Sequence, residues 1–277
     1  MNMRYSSTLF TGLCASALLF ASCGGSGSSG STDSTATDSA ATTDTTAATA
    51  GGLSIEPLTK STEFPGASLK ITDLKASKVS ADSVKLDVKY AVSNFKLTQM
   101  TMDEHGDMAN NSKQGQHIHF ILDNKPYQAL YKPEKSDTIG VGEHYLMSFL
   151  SRSYHESIKE KDAYVLKHFK VDADGKITDL PAPTTPMIFY SRPKGTYEGK
   201  DLSYLLLDFY LVNTKLDDGH KVKATINGQS FDIDKWQPYF IRGAKPGDLT
   251  VTVELQDKDG KTLSGENTTV ERKVTLK

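Results

Sequence analysis

Two histidines, His117 and His119, stand two residues apart in a segment whose alternation predicts a β-strand. Side chains at i and i+2 of a strand project from the same face, so two imidazoles can reach one metal ion. A third histidine, His155, lies in a polar segment that follows a later strand. Because imidazole nitrogens suit zinc and copper, the pair predicts a zinc or copper site completed by one more histidine from the same part of the sequence, and we take His155 rather than His105 or His144 as that third ligand. The alternative is that each histidine is structural.

A second candidate surface is an apolar stripe on the predicted strand 142–150. By alternation Tyr145 and Phe149 lie on its outward face, where a half-buried strand normally carries polar residues. An exposed stripe of this kind usually packs against something. Either another part of this chain covers it, namely the tether or a second domain, or it belongs to a ligand-binding face. That face would comprise His117, His119, Tyr145, Phe149, Arg152 and His155.

The chain lacks the residue patterns of common catalytic motifs. It has no Gly-x-Ser-x-Gly elbow, no phosphate-binding Gly loop followed by Lys-Ser/Thr, and no His-Glu-x-x-His. With 32 Lys+Arg against 34 Asp+Glu, it has no strong field to attract nucleic acid. We therefore expect a binding or structural protein, with neither enzymatic activity nor a nucleic-acid partner.

The segments that must position these side chains occur twice. Short strands and turns repeat over roughly 100 residues, the size and rhythm of an immunoglobulin-like sandwich. Segments 84–90, 115–124, 142–150 and 163–171 align with 204–210, 219–228, 247–255 and 269–276. The sequence thus predicts an all-β protein with two tandem immunoglobulin-like β-sandwich domains, 53–173 and 174–277. The boundary is placed at the Asp172–Lys176 turn, ahead of the proline-rich stretch 181–186.

Comparing the copies predicts which residues are buried. In the second copy Val222, Ala224 and Ile226 form an apolar face, which leaves His117 and His119 on the outward face of the first copy. The first copy also carries a long connection, 98–114, beside the histidine strand. Functional insertions tend to lie in loops on a rigid scaffold, so this connection marks the first copy as the functional one.

The N-terminal residues resemble a bacterial lipoprotein signal. Arg4 is followed by an apolar run, 9–21, too short to span a bilayer, and then by Ser22-Cys23. The resemblance implies that residues 1–22 are a signal peptide and that Cys23 is acylated with fatty acids such as palmitate. We expect a lipid-anchored protein at the outer membrane, cell surface or periplasm. An ordinary cleaved signal and an uncleaved anchor are the alternatives.

Residues 23–52 are almost entirely Gly, Ser, Thr, Ala and Asp. Such a composition cannot bury enough apolar surface to offset its ordering entropy, so we expect a disordered tether. Three Asp-Ser/Thr-small triplets in it resemble the O-glycosylation signal of Bacteroidetes, with Ser34, Ser39 and Thr45 as the candidate acceptors.

Several segments carry a family resemblance, namely 115–119, 142–144, 149–157, 235–241 and 269–272. In these the chain resembles a group of Bacteroidetes lipoproteins often labelled phosphopeptide-binding proteins. The resemblance implies a peptide, phosphopeptide or protein partner, and Arg152 is a residue that could meet a phosphate. The sequence therefore favours a lipid-anchored binding module acting through the first domain. A structural or assembly subunit of a cell-envelope complex and a histidine-based metal-binding protein are the alternatives.

Overall fold

The computed structural model describes residues 52–108, 110–216 and 219–277. Within these ranges the chain forms strands, turns and loops and one short 3-10 helix, Gly199–Tyr204, so the all-β class is confirmed. No helix in this part of the chain is long and apolar enough to cross a membrane. The predicted signal peptide, Cys23, nearly all of the tether and the candidate acceptors Ser34, Ser39 and Thr45 lie outside the described residues.

The strands divide between two sandwiches. In chain order they are β1 (Ser54–Pro57), β2 (Ser68–Lys78), β3 (Ser83–Ser93), β4 (His117–Leu122), β5 (Gln128–Leu130), β6 (Glu134–Gly140), β7 (Gly142–Ser151), β8 (Tyr164–Val171), β9 (Ile177–Asp179), β10 (Met187–Arg192), β11 (Thr196–Tyr197), β12 (Leu205–Val212), β13 (His220–Ile226), β14 (Gln229–Ile233), β15 (Tyr239–Arg242), β16 (Gly247–Asp257) and β17 (Thr269–Leu276).

The first sandwich packs the sheet β2-β3-β6 against the sheet β5-β4-β7-β8-β9. Its core follows from period-two alternation, since every second side chain of a strand points to the same face. On β4 the inward residues Ile118 and Phe120 are buried in that core, which leaves His117 and His119 on the outer face, as predicted.

The second sandwich packs the sheet β1-β15-β12-β10 against the sheet β11-β17-β16-β13-β14. Its core contains Val222, Ala224 and Ile226, all fully buried, as the alternation predicts. The central strands β4-β7-β8 and β13-β16-β17 have the same order in the two sandwiches, so the repeated sequence segments occupy equivalent positions.

Two short strands differ from the predicted domain boundaries. Ser54–Pro57, assigned to the first domain by sequence, pairs with β15 of the second sandwich. Ile177–Asp179, assigned to the second domain, pairs with β8 and completes the first sandwich, so the Asp172–Lys176 turn lies within that sandwich. A strand of three or four residues has too few side chains for its alternation to show which sheet it joins. Such a strand can pair with any sheet edge that is left unpaired nearby.

The outer faces of β4 and β7 pack against the outer faces of β10 and β12. This contact has its own apolar core, comprising Ile121, Tyr127, Met147, Phe149, Met187, Phe189, Tyr210 and Val212. Burial of each such side chain contributes about 1.5–3 kcal/mol, so the two sandwiches dock as one unit. The stripe on β7 is therefore covered by the second sandwich. The prediction that Phe149 contacts an external ligand is wrong, because its side chain is fully buried there.

Asn124, in the turn after β4, links the first sandwich to the edge strand β10. Its Nδ2 donates to the carbonyl of Ile188 at 2.8 Å, and its Oδ1 accepts from the amide of Tyr190 at 3.0 Å. The side chain thus satisfies two backbone groups on the free edge of that strand.

We expect Asn124→Ala to lower the free energy of unfolding by about 1–3 kcal/mol more than Asn94→Ala does, because it leaves buried backbone groups unpaired. The two asparagines are matched in backbone conformation, with φ of 52° and 53°, but the side chain of Asn94 bonds only one exposed carbonyl, that of Gly66. Urea unfolding measures both losses, and equal losses would contradict this role for Asn124.

Candidate metal centre

Three imidazoles converge where the two sandwiches meet. His117 and His119 project from the outer face of β4, and His155 projects from the turn that follows β7. The Nε2 atom of His117 lies 3.0 Å from Nε2 of His119 and 3.0 Å from Nδ1 of His155. The three nitrogens all lie within 4.8 Å of one another, and the side chains are buried. The structure thus brings together the three residues that the sequence predicts as metal ligands.

Regular strand geometry places two of the ligands and an unusual turn places the third. β4 is an inner strand, bonded to β5 on one side and β7 on the other, so the direction of its side chains is fixed. His155 has a φ of +72°, in the left-handed region that costs a non-glycine residue about 1–3 kcal/mol. The turn is held by two backbone bonds, from Arg152 N to Glu156 O and from His155 N to Arg152 O, both 2.9 Å.

Hydrogen bonds on the far side of the rings orient two of the ligands. Nδ1 of His117 lies 2.8 Å from the carbonyl of Gly115, which can only accept, so Nδ1 carries the proton and Nε2 keeps its lone pair. Nδ1 of His119 lies 3.1 Å from Oγ of Ser191, a residue of the second sandwich. Histidine ligands of metal ions typically have such partners on the other ring nitrogen.

Burial keeps these histidines neutral. Desolvation, helped by the nearby charges of Arg192 and Lys194, lowers the pKa of His117 to about 4, although the hydrogen bond to the carbonyl of Gly115 acts in the opposite direction. Desolvation also holds the pKa values of His119 and His155 well below the usual value of 6.5. Neutral imidazole is the form that binds a metal ion.

The metal-free arrangement leaves a hydrogen-bonding conflict. Nε2 of His117 has one lone pair but two neighbouring nitrogens at 3.0 Å, so only one N–H can donate to it well. A metal ion would accept all three lone pairs. Ligand bonds of about 2.05 Å at tetrahedral angles separate neighbouring nitrogens by about 3.3 Å, close to the two spacings of 3.0 Å around Nε2 of His117.

The surrounding side chains come from both sandwiches. The ring of Tyr127 stacks on His119 with 3.6 Å between ring centroids, and its hydroxyl lies 3.1 Å from Nδ1 of His155. Arg192 is buried with its Nε lacking a hydrogen-bond partner, and its Nη1 donates to the hydroxyl of Tyr197 at 2.7 Å. Ser191 and Arg192 could not be predicted from the sequence, since only docking of the sandwiches brings them to the histidines, and the position of Tyr127 in the connection from β4 to β5 carried no pattern that would single it out.

Two of the predicted ligand-face residues lie apart from this cluster. Tyr145 is half-buried and stacks on His168 at 4.2 Å between centroids. Arg152 pairs with Glu156 at 3.1 Å and donates from Nε to the carbonyl of Thr62 at 2.9 Å. The guanidinium thus already has partners, so its proposed role as a phosphate contact has no support in this geometry.

Fold and site together define a protein of two docked β-sandwiches with a buried three-histidine cluster between them. No protein-family model matches the chain, and no curated protein matches it. Among solved structures it is similar to the fibronectin(III)-like modules of Clostridium thermocellum CbhA, with 11% identity, a TM-score of 0.26 and coverage of 76% of this chain and 94% of that one. It is also similar to the two tandem V-type regions of VCBP3, a v-region-containing chitin binding protein, with 10% identity, a TM-score of 0.24 and coverage of 76% and 99%. Likenesses at these TM-scores say nothing about function.

Proposed function

We propose that this protein binds a zinc or copper ion through His117, His119 and His155. The observation that carries the proposal is the convergence of three buried, neutral imidazole nitrogens within 4.8 Å of one another. Burial of a polar group without full hydrogen bonding is costly, and a bound ion would remove that cost. Because the second sandwich covers the site, the ion would be held rather than presented to a substrate.

We further propose that the protein acts outside the cytoplasm, attached to the membrane through a lipid on Cys23. The lipoprotein-like signal supports this location. A peptide- or phosphopeptide-binding role is the weaker candidate, because the face on which it depended is occupied by the second sandwich. Lys159, another cation near that face, pairs with the buried carboxylate of Asp208 at 2.8 Å across the sandwich contact.

Metal binding by the full-length protein tests the proposal. After equilibrium dialysis against zinc or copper, we expect one ion per wild-type chain and loss of binding in His117→Ala/His119→Ala. The loss should exceed about 100-fold, since even removal of an outer partner of a ligand costs about 10–100-fold in affinity.

The control is His220→Ala, which removes a histidine from β13 of the second sandwich and should bind like wild type. Circular dichroism establishes that each variant is folded. Equal binding by wild type and the double variant would refute the proposed site.

A further inference from the structure

The connection 98–114 carries methionines on its surface. Met100, Met102 and Met108 are 38%, 81% and 41% exposed. Among the described residues they are three of the five exposed large apolar side chains, the others being Val79 and Val141. Methionine normally fills gaps in cores, so three exposed thioethers in one loop need an explanation other than packing.

Thr101 ties this loop to both segments that carry the histidines. Its amide donates to Oγ of Ser153 at 3.1 Å, the amide of Ser153 donates back to its Oγ1 at 3.0 Å, and its Oγ1 donates to Oε1 of Gln116 at 3.2 Å. Gln116 immediately precedes His117, and Ser153 lies two residues before His155. The buried threonine thereby holds the methionines on either side of it at the surface, beside the backbone leading to two of the ligands.

Met100 and Met102 also line one surface groove of about 360 Å³, and Gln116 lines the same groove. The thioether sulfurs of a single groove can reach one soft cation. Thioether sulfur is a soft ligand that selects Cu(I), whereas zinc is bound by imidazole, carboxylate and thiolate.

The charges around the histidines point to the same ion. The Cζ of Arg192 lies 5.5 Å, and the Nζ of Lys194 lies 4.1 Å, from the centroid of the Tyr127 ring that stacks on His119. Within the described residues, no carboxylate joins the three histidines as a candidate ligand. A buried divalent ion beside two cations would carry a large uncompensated charge, since the cost of burying an ion rises with the square of its charge. Zinc also normally takes a fourth ligand.

We propose that the ion held by the three histidines is Cu(I) and that the exposed methionines of the 98–114 loop capture it at the surface for transfer inward. This inference rests on the proposed function. The transfer is a ligand exchange in which thioether sulfurs are replaced by imidazole nitrogens and copper remains Cu(I), so no electron donor or acceptor is needed.

The test uses the full-length protein under anaerobic conditions. Cu(I) is supplied as its bathocuproine disulfonate complex with ascorbate, and Zn(II) is titrated separately against a chromophoric chelator. We expect one Cu(I) per chain, bound at least about 100-fold more tightly than Zn(II), which corresponds to about 2.7 kcal/mol. His117→Ala/His119→Ala should lose that tight Cu(I).

The role of the loop is tested by the rate of loading, followed in a stopped-flow instrument. Met100→Leu/Met102→Leu should take up Cu(I) at least about tenfold more slowly while reaching the same final stoichiometry, because soft capture is lost but the histidines remain. Met187→Leu is the control, since it removes a thioether from the sandwich contact, outside the loop, and should load at the wild-type rate.

Each outcome bears on a distinct statement. Zn(II) binding as tight as Cu(I) binding at the histidines would overturn the Cu(I) assignment and leave the proposed function standing. Absence of tight binding of both ions would overturn both. Wild-type loading by the double methionine variant would overturn the capture role alone.

Discussion

Acidification from pH 7 toward pH 5 should unfold the metal-free protein, because the histidines of the cluster are buried in their neutral form. In the unfolded chain they take up protons near their usual pKa of about 6.5, whereas in the folded protein burial lowers the pKa of His117 to about 4 and those of His119 and His155 well below 6.5. Below pH 6.5 the unfolded state therefore binds more protons, and stability falls with pH.

The expected size of this effect is large. Each buried histidine can remove up to about 1.4 kcal/mol per pH unit below pH 6.5, so three together approach about 4 kcal/mol per unit. Typical domains are stable by about 5–15 kcal/mol, which leaves little stability at pH 5. His144 acts in the opposite direction, since its hydrogen bond to Asp123 raises its pKa and its contribution is lost as pH rises.

Urea unfolding as a function of pH measures the slope, with Trp236 as the reporter. Trp236 is the single tryptophan of the chain, and its ring packs edge-on against Tyr210 with 5.0 Å between centroids. Replacing all three histidines with glutamine, which does not titrate, should flatten the profile between pH 6.5 and 4. His220→Gln should leave it unchanged. If wild type and the triple variant lose stability in parallel, the buried-neutral description of the cluster is incorrect.

Metal loading should raise the stability of the protein as strongly as acid lowers it. An ion that binds only the folded state stabilises it by about 4 kcal/mol when its free concentration is about 1,000 times the Kd. Protons compete with the ion for the same lone pairs, so the loaded protein should also withstand a lower pH than the metal-free protein.

Thermal unfolding at fixed pH, with and without buffered metal, provides the measurement. A rise in Tm is expected for wild type and for His220→Ala, and none for His117→Ala/His119→Ala. An equal rise in the double variant would mean that the ion stabilises the protein from a different place.

The sequence predicted correctly those features that depend on the alternation of apolar and polar residues along a strand. Alternation along the strand assigned Val222, Ala224 and Ile226 to the core of the second copy. Because the internal repeat aligns that strand with β4, the same alternation predicted that His117 and His119 point away from the core of the first copy. The prediction that the three histidines meet also required His155, which the structure brings to them through a turn with positive φ.

What could not be predicted depends on docking between the sandwiches. The same outward residues fit either a ligand-binding face or a domain contact, and alternation alone cannot distinguish these. Ser191 and Arg192 lie more than 70 residues from the β4 histidines in the sequence; Ser191 and His119, for example, are 72 residues apart. No local pattern could therefore predict that they contact the histidine cluster. The pairing of β1 with β15 was missed for a related reason, since four residues reveal no sheet preference.

The position of β1 also determines how the two halves are held together. Among the described residues, the first strand, Ser54–Pro57, belongs to the second sandwich. The chain then crosses to the first sandwich and returns through the stretch 181–186, so two stretches of the described chain connect the halves. The first segment is also fastened at its side chain, where Glu56 pairs with Arg242 at 2.8 Å. If a protease cut the chain within 181–186, the two fragments should therefore stay associated, because their separation would also require breaking the hydrogen bonds between β1 and β15.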